Sequence, residues 1–186
     1  MFKNLVLRNR SYRRFDHSRK IGEQTLRGWV DLARNTPSAN NLQPLRYKIV
    51  TEEALCEAVF ASLGWARSYL PEWGGPPPHE RPAAYLVLFA DPAARCDVDT
   101  GIAAQTILLS ATEQGFGGCM FRSFQKNALC DALGIDPAQL VPQLVIAVGV
   151  PMEKVVLVPL VAGVKYYRGE DGTHYVPKRS LEDILL

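Results

Sequence analysis

The chain has 186 residues, of which 47% are apolar and 22% charged, the composition of a globular domain large enough to bury its own core. The formal net charge is only +2, whereas a nucleic-acid-binding domain is more often strongly basic, so we expect no nucleic-acid partner. The longest apolar runs, near Leu144–Val150 and Val155–Val164, are well short of the roughly 20 residues that span a bilayer, so we expect no membrane segment.

The cysteines and the first residues indicate the compartment. The four cysteines show no Cys-x-x-Cys spacing, and the three histidines do not lie at the spacing of metal ligands. These features predict reduced thiols, with neither a disulfide framework nor a metal site. No apolar stretch of the kind found in signal peptides follows the first four residues. We therefore expect a cytoplasmic protein with one domain over residues 1–186.

Hydrophobic periodicity predicts both helices and strands along the chain. The predicted helices are Phe2–Arg8, Glu23–Asn35, Glu52–Leu63, Val98–Gln114, Gln125–Leu133 and a last helix that Ser180 caps with Asp183. The predicted strands are Tyr47–Val50, Ala84–Ala90, Val141–Val150 and Val156–Val164, together with a short extended piece within residues 117–124. Residues 71–82 contain two glycines and several prolines, and we interpret them as an exposed loop.

The predicted helix Val98–Gln114 differs from the others because its side chains are small or apolar nearly all round. A helix of this kind is buried on most of its sides. Because small side chains also let two helices approach closely, we interpret it as a candidate subunit interface. A plain core helix is the alternative, and the two interpretations are compatible.

Positive charge is concentrated at the start of the chain. Residues 1–20 hold seven of the 21 Lys and Arg residues and one acidic residue, Asp16. A local basic cluster on a nearly neutral protein suits one small anion such as a phosphate. Within segment 10–15, the alternation of Ser11 and Arg13 places both on one side of an extended strand, and a guanidinium group matches phosphate oxygens. A solvated basic stretch is the alternative.

Residues 36–45 form the most informative loop of the sequence. Pro37 and Pro44 cannot continue a helix, and the residues between them are rich in side-chain amides and hydroxyls. A stiff polar loop between a helix and a strand holds polar groups at fixed positions, as a small-molecule site requires. An ordinary connection with Asx turns is the alternative.

Five motifs in order resemble the nitroreductase family of FMN-dependent oxidoreductases. They are Arg-Ser-x-Arg-x-Phe at 10–15, Pro-Ser-x-x-Asn-x-Gln-Pro at 37–44, Asp-x-Gly-Ile-Ala-Ala-Gln at 99–105, Gly-Phe-Gly-Gly-Cys at 115–119, and Lys-Arg at 178–179 before a Leu-Glu-x-Ile tail. The resemblance covers nearly the whole chain. It implies an α+β fold with a mainly antiparallel sheet flanked by helices, in a homodimer with FMN at each interface.

The resemblance also implies which residues contact FMN. Arg10 and Ser11 would face its phosphate and ribityl chain, and Arg13 would face the pyrimidine edge of its ring. The full set of implied cofactor contacts is Arg10, Ser11, Arg13, Pro37, Ser38, Ala39, Asn41, Gln43, Met120, Phe121, Arg122, Ser123, Lys178 and Arg179. No metal ligand and no catalytic side chain is implied, since the flavin N5 atom carries the chemistry.

The implied activity is ping-pong transfer of a hydride from NAD(P)H through flavin N5 to a nitroaromatic, a quinone or a similar acceptor. No Gly-x-Gly-x-x-Gly loop is present, so we expect no Rossmann nucleotide site. One alternative is another flavin reaction on the same fold: a dehalogenase, a flavin-fragmenting oxygenase or an azoline oxidase. The other is an FMN-binding sensor or carrier without useful turnover.

Arg122 departs from the family pattern, because relatives often carry Gly at the matching position. Its side chain either faces the pocket or turns outward to solvent, and both interpretations stay open at this stage.

Overall fold

The computed structural model describes residues 2–66 and 73–186. The helices are α1 Phe2–Arg8, α2 Glu23–Arg34, α3 Glu53–Ser62, α4 Asp97–Glu113 and α5 Lys126–Leu133. The strands are β1 Arg46–Val50, β2 Ala84–Ala90, β3 Gly117–Phe121, β4 Val141–Gly149, β5 Val155–Pro159, β6 Tyr167–Arg168 and β7 His174–Lys178. Short 3₁₀ helices cover Ala39–Asn41 and Pro78–Glu80. The chain divides into two compact units, residues 1–151 and 152–186.

A four-stranded sheet organises the first unit. Its strand order is β1-β2-β4-β3, and every neighbouring pair is antiparallel. All residues of β2 are buried, and their side chains alternate between the two faces of the sheet. Leu86 and Leu88 join a cluster that includes residues of α2 and α4, whereas Tyr85 and Phe89 join a cluster that includes residues of α3 and α5. The sheet is therefore the middle of three layers.

Helix α4 is the longest helix of the described residues and one of the most buried. Ala103, Ala104 and Ile107 lie in the first core cluster, where α2 contributes Leu26 and Trp29. The small side chains allow close packing of α4 against α2, which is consistent with the interpretation of α4 as a core helix.

One stripe of α4 stays uncovered within the chain. Val98 is 73% exposed, Gly101 and Gln105 are exposed, and Ile102 and Leu109 are only partly buried. These positions recur at three- to four-residue spacing and so lie on one face of the helix. The stripe carries no charge at these five positions, which is unusual for a face in water.

The second unit is a small three-stranded sheet of order β5-β7-β6, in which β5 and β7 are parallel. Arg168 pairs with the buried Glu153 carboxylate at 2.5 Å. The ring of His174, which is 2% exposed, packs edge-on against Tyr166 with 5.0 Å between ring centroids. The ion pair links β6 to the start of the unit, and the ring contact holds β7 against the residue that precedes β6.

The structure confirms the predicted α+β fold with its mainly antiparallel sheet, but it differs from the predictions for one strand, one loop and the last helix. The strand predicted over Val156–Val164 ends at Pro159. Val161 is 91% exposed and Val164 is 60% exposed, so no neighbouring strand covers the rest of the run. Of the loop predicted over 71–82, residues 71 and 72 lie outside the described part, and Pro78–Glu80 forms a 3₁₀ turn.

The last predicted helix is a series of turns. Ser180 and Asp183 do form the reciprocal capping contacts: the Ser180 N–H donates to Asp183 Oδ2 and the Asp183 N–H donates to Ser180 Oγ, both at 3.1 Å. Leu181 and Ile184 are each 60% exposed, so the segment buries no apolar face. A cap alone does not stabilise a helix this short without packing. None of the helices in the described part of the chain is long and apolar enough to cross a bilayer.

Two glycines give opposite predictions for stability. A Cβ at Gly118 in β3 would meet the Ala147 carbonyl oxygen and approach Leu108 Cδ2 to 2.7 Å, so Gly118→Ala must displace the backbone. We expect it to lower the free energy of unfolding by about 1–3 kcal/mol. At Gly28 in α2 an added Cβ meets nothing within 4 Å, so Gly28→Ala should raise stability by about 0.5–1 kcal/mol. Urea unfolding of both variants checks this, and equal stabilities would contradict it.

Candidate functional site

The loop over residues 36–45 begins where α2 ends and delivers the chain to β1. Three of its residues have positive φ angles: Asn40 at 49°, Asn41 at 56° and Gln43 at 49°. Asn adopts this left-handed region more readily than most residues, but Gln does so at a cost. Strained backbone persists only where surrounding contacts impose it, and such residues cluster at functional sites.

The Asp99 carboxylate imposes this conformation from the first turn of α4. Ser38 Oγ donates a hydrogen bond to Asp99 Oδ2 at 3.0 Å, and the Ala39 N–H donates to Asp99 Oδ1 at 3.1 Å. Asp99 is only 6% exposed. Its two hydrogen bonds join parts of the chain that are about 60 positions apart in sequence. Both carboxylate oxygens are therefore directed at the start of the loop.

A second set of bonds closes the loop on itself. The Gln43 N–H donates to Ser38 Oγ at 3.0 Å, so the Ser38 hydroxyl accepts one bond while it donates another. The Gln43 Nε2 group donates to the side-chain oxygen of Asn41 at 3.1 Å and to its carbonyl oxygen at 3.2 Å. Ser38, Asn41 and Gln43, all predicted site residues, thus belong to one hydrogen-bonded network.

A cavity of about 150 Å³ lies behind this loop. Its lining includes Pro37, Ser38 and Gln43 from the loop, Tyr47 from β1, and Asp99. Burial raises the pKa of the Tyr47 phenol, and the negative charge of Asp99 raises it further. Tyr47 therefore stays a neutral phenol at physiological pH beside the carboxylate.

The basic segment 10–13 lies against the glycine-rich start of β3. Ser11 forms a parallel bridge with Gly118, and the Tyr12 N–H donates to the Gly118 carbonyl oxygen at 3.0 Å. Arg10 Nη2 donates to the Val6 carbonyl at 2.7 Å, whereas Arg10 Nε is buried with no hydrogen-bond partner in the described residues. Arg13 is half-buried on the same segment.

Arg10 Nε and the loop network test whether the site fits FMN. A buried guanidinium N–H without a partner is costly, and a phosphate oxygen would satisfy it. The network of Ser38, Asn41 and Gln43 holds side-chain amide groups at fixed positions, where they can form hydrogen bonds with the polar edge of a planar ring. The residues present therefore fit a phosphate-bearing, planar group.

The end of β3 presents the remaining predicted contacts of the first unit. Met120 is 36% exposed, but the Phe121 side chain is 5% exposed and packs against Trp65 with 4.7 Å between ring centroids. Only the main chain of Phe121 can therefore touch a ligand. The Ser123 carbonyl accepts from the Gly64 N–H at 2.7 Å, which fixes the backbone just after Arg122.

Arg122 has an exposed side chain that is nevertheless paired. Arg122 Nη1 lies 3.1 Å from Asp97 Oδ1, and the two side chains are 69% and 78% exposed. Both also line a cavity of about 470 Å³ to which Ala39 belongs. Of the two orientations left open by the sequence, the structure thus shows a solvent-accessible side chain at the rim of a cavity.

The loop over residues 36–45 and the basic segment 10–13 are held at opposite ends of α4. Asp99, which holds the loop, is the third residue of α4, and Thr112 is the sixteenth. Arg8, two residues before Arg10, donates from Nη2 to the Thr112 carbonyl at 3.3 Å. At 1.5 Å per residue these two attachment points are about 20 Å apart along the helix axis.

Lys178 and Arg179 belong to the second unit. Lys178 is the last residue of β7, and its carbonyl accepts a hydrogen bond from the Leu160 N–H at 2.9 Å. The side chains of Lys178 and Arg179 are both exposed. Their predicted contact with a phosphate stays a prediction.

Sequence reasoning missed the roles of Asp99 and Tyr47. Asp99 stood out only as the first residue of a helix motif, because its partners lie about 60 positions earlier. A carboxylate inside an otherwise apolar helix pattern was the signal that could have pointed to it, since buried charges need partners.

Comparison with known proteins identifies the family. The model of the Nitroreductase family matches residues 6–150. The chain belongs to the nitroreductase family. This confirms the resemblance inferred from the five motifs, and it covers four of them.

Solved structures of nitroreductase-like proteins share the fold. An NAD(P)H:FMN oxidoreductase of Staphylococcus epidermidis is 18% identical, with a TM-score of 0.70 over 100% of this chain and 95% of its own. An iodotyrosine deiodinase bound to FMN and 3-iodo-L-tyrosine is 22% identical, with a TM-score of 0.68 over 91% and 100%. A nitroreductase from Exiguobacterium sibiricum in complex with FMN is 16% identical, with a TM-score of 0.67 over 82% and 89%. No curated protein matches the sequence.

The Asp99 network yields a prediction. In Asp99→Asn one amide oxygen replaces two carboxylate oxygens, and the NH₂ group faces a donor of the loop. Losing a charged hydrogen bond costs about 1.5–3 kcal/mol, so local opening of the loop should become about 10- to 100-fold more frequent. Amide hydrogen exchange at Ala39 and Gln43 measures this.

Asp131→Asn is the matched control, because Asp131 is exposed on α5 and lies outside the network. It should leave exchange at Ala39 and Gln43 as in the unaltered protein. Unchanged exchange at both amides in Asp99→Asn would show that the carboxylate does not hold the loop.

Proposed function

We propose that this protein is an FMN-dependent NAD(P)H oxidoreductase that reduces a small acceptor such as a nitroaromatic or a quinone. The observation that carries the proposal is the buried Arg10 Nε, which has no hydrogen-bond partner among residues 2–66 and 73–186 and lies next to the bridge between Ser11 and Gly118. In a nitroreductase, a phosphate bound there would satisfy the buried donor. The FMN-bound relatives on the same fold support this choice of ligand.

The chain offers FMN three kinds of contact. Arg10 and Ser11 would bind the phosphate and ribityl chain, with Lys178 and Arg179 as further cations. The loop would contribute Pro37, Ser38, Ala39, Asn41 and Gln43, and the chain after β3 would contribute residues 120–123, mainly through their backbone. When bound, FMN supplies two-electron transfer between the nicotinamide nucleotide and the acceptor.

The protein's own part in the reaction is to bind, orient and stabilise charge. Arg13 would place a permanent cation at the pyrimidine edge, where negative charge grows on reduction. The Asp99 network keeps the amide groups of the loop at fixed positions, so that little reorganisation is needed when the ligand binds. No side chain has to act as acid, base or nucleophile.

The proposed site lies between two copies of the chain. Within one chain the loop and segment 10–13 are attached at opposite ends of α4. Two chains packed antiparallel through the uncharged stripe of α4 would bring the loop of one copy to the basic segment of the other. The same packing would cover Val98, Ile102 and Leu109.

A different flavin reaction is the second candidate. The iodotyrosine deiodinase neighbour shows that the fold also serves reductive removal of a halogen. It shares 22% identity with this chain, and the two are matched over 91% of this chain. A halophenol assay beside the nitroarene and quinone assays separates these reactions, and a carrier would show none of them.

The cofactor and the reduction step can be tested directly. Flavin released by heat should run as FMN and not as FAD in chromatography, since no dinucleotide loop is present to hold an adenylate. Anaerobic mixing with NADH or NADPH should bleach the flavin within seconds in a stopped-flow instrument. A quinone or nitroarene should then restore the colour. Recovery of FAD, or of no flavin after reconstitution, would contradict the proposal.

Arg10→Gln tests the phosphate contact. Removing one charged hydrogen-bond donor should weaken FMN binding about 10- to 100-fold, as measured by quenching of flavin fluorescence. Arg27→Gln, which removes an exposed cation paired with Glu23 on α2, should leave the affinity within about twofold. Equal affinities of the two variants would assign the phosphate to other residues.

A substitution on the α4 stripe tests the interface. Ile102→Glu would bury an unpaired charge between the two copies, at a cost of several kcal/mol, so it should yield a monomer with weakened FMN binding. Ile107 would be a poor choice, because it is fully buried within the chain and its replacement would disturb the core. Sedimentation velocity and flavin content are the measurements.

Ala128→Glu, on the exposed face of α5, is the control and should stay dimeric. A monomeric Ile102→Glu variant that keeps full FMN affinity would contradict a site shared between copies.

A further inference from the structure

A cavity of about 470 Å³ opens where the chain leaves β3 and α4 begins. Ala39, Arg95, Asp97, Arg122 and Gln143 are among the residues that line it. Its volume falls within the range typical of small-molecule sites. Ala39 and Arg122 are also proposed FMN contacts, so this cavity adjoins the proposed flavin site and is open to a second substrate.

The lining of this cavity carries two arginines, Arg95 and Arg122, and two aspartates, Asp97 and Asp99. Arg95 is exposed and makes no hydrogen bond or ion pair with any residue in 2–66 or 73–186. The second carboxylate of this region, Asp99, is engaged by Ser38 and Ala39 of the loop. Asp97 is exposed and pairs with Arg122, which leaves Arg95 without a carboxylate partner among the described residues.

The ion pair of Arg122 with Asp97 does not prevent Arg122 from binding a ligand. The two side chains are 69% and 78% exposed, and pairs this exposed are screened by water and salt. Arg122 can thus exchange Asp97 for a ligand at little cost.

We propose that Arg95 and Arg122 form an anion subsite of this cavity, which binds the carboxylate or phosphate of a substrate. The guanidinium groups donate in a plane that matches both anions. This inference rests on the proposed function, because it assigns the anion to a substrate of that same site. The anion belongs either to the acceptor or to the nicotinamide nucleotide, and the two sources share this chemistry.

The test compares two acceptors of nearly the same shape, 4-nitrobenzoate and 4-nitrobenzamide, which differ in charge. In Arg122→Gln and Arg95→Gln the KM for 4-nitrobenzoate should rise about tenfold, as the loss of a charged hydrogen bond predicts. In Arg95→Gln, which lies outside the proposed FMN contacts, the KM for 4-nitrobenzamide should stay within about twofold; Arg122→Gln is judged by the ratio of the two KM values, which should rise about tenfold. Arg27→Gln is the matched control, since Arg27 is also exposed and ion-paired, but on α2.

The nucleotide is the second arm of the test. If the anion is a nucleotide phosphate, the KM for NADH or NADPH rises in both variants, while 4-nitrobenzoate and 4-nitrobenzamide respond alike. That outcome also supports the subsite and assigns its source. If both variants match Arg27→Gln for the acceptors and the nucleotides, the proposal is overturned.

A binding measurement separates this inference from the proposed function. Benzoate titrated into the purified protein should shift the guanidinium N–H signals of Arg95 and Arg122 in NMR spectra, whereas benzamide should not. The apparent Kd for benzoate should weaken about tenfold in Arg122→Gln. This readout needs neither flavin nor turnover. If the protein holds no FMN but benzoate still shifts both signals, the proposed function fails and the subsite stands; no shift in either signal overturns the subsite.

Discussion

The contact between the Asp99 carboxylate and the loop over 36–45 is the constraint on which the candidate site depends. A carboxylate that is 6% exposed destabilises a fold unless its oxygens are satisfied, and here Ser38 and Ala39 satisfy both. Its position in the first turn of α4 also favours the negative charge, because the helix dipole is positive there. The same bonds that stabilise the charge force the loop into a strained backbone, so the geometry of the loop follows from the placement of α4.

The placement of α4 in turn follows from the three-layer core. One side of the helix is fixed by α2 and by the sheet, through small residues that permit close packing. The other side is exposed at Val98, only partly buried at Ile102 and Leu109, and uncharged at all three positions. Helix α4 therefore forms a rigid connection between the loop over 36–45 and the basic segment 10–13, which are attached at its two ends. Association of two copies would therefore complete the site without moving either end.

Local patterns predicted most of the elements because each of these elements is buried in a regular way. The strand Ala84–Ala90 is observed as predicted, since a continuous apolar run between breakers has one outcome when both faces are covered. The helix predicted over Val98–Gln114 is displaced by one residue at each end, where periodicity carries no information. The helix predicted after Ser180 was wrong because its apolar side chains stay exposed, so no packing stabilises the helical turns that the capping residues begin.

The site was predicted less completely than the fold, because its contacts join distant parts of the chain. The motifs located the loop and the basic segment, but no pattern shows that Asp99 holds Ser38, or that the Phe121 side chain turns into the core while Arg122 pairs with Asp97. Such contacts depend on the register of β3 against β4 and on the rotation of α4.

The two aspartates at the start of α4 have different parts in the candidate site. Asp99 holds the loop in place, whereas Asp97 lies at the rim of the cavity, where charge can change. Asp97 and Asp99 are two residues apart, yet one is exposed and the other buried, because they lie on different faces of the helix. The exposed pair of Asp97 with Arg122 contributes roughly 0–1 kcal/mol to stability, so the rim of the cavity can change its charge without disturbing the fold. Removing a hydrogen-bond donor from buried Asp99 would instead leave a carboxylate oxygen unsatisfied, which costs about 1.5–3 kcal/mol. A chain built in this way can alter its choice of acceptor at the rim while the loop that orients the proposed cofactor stays in place.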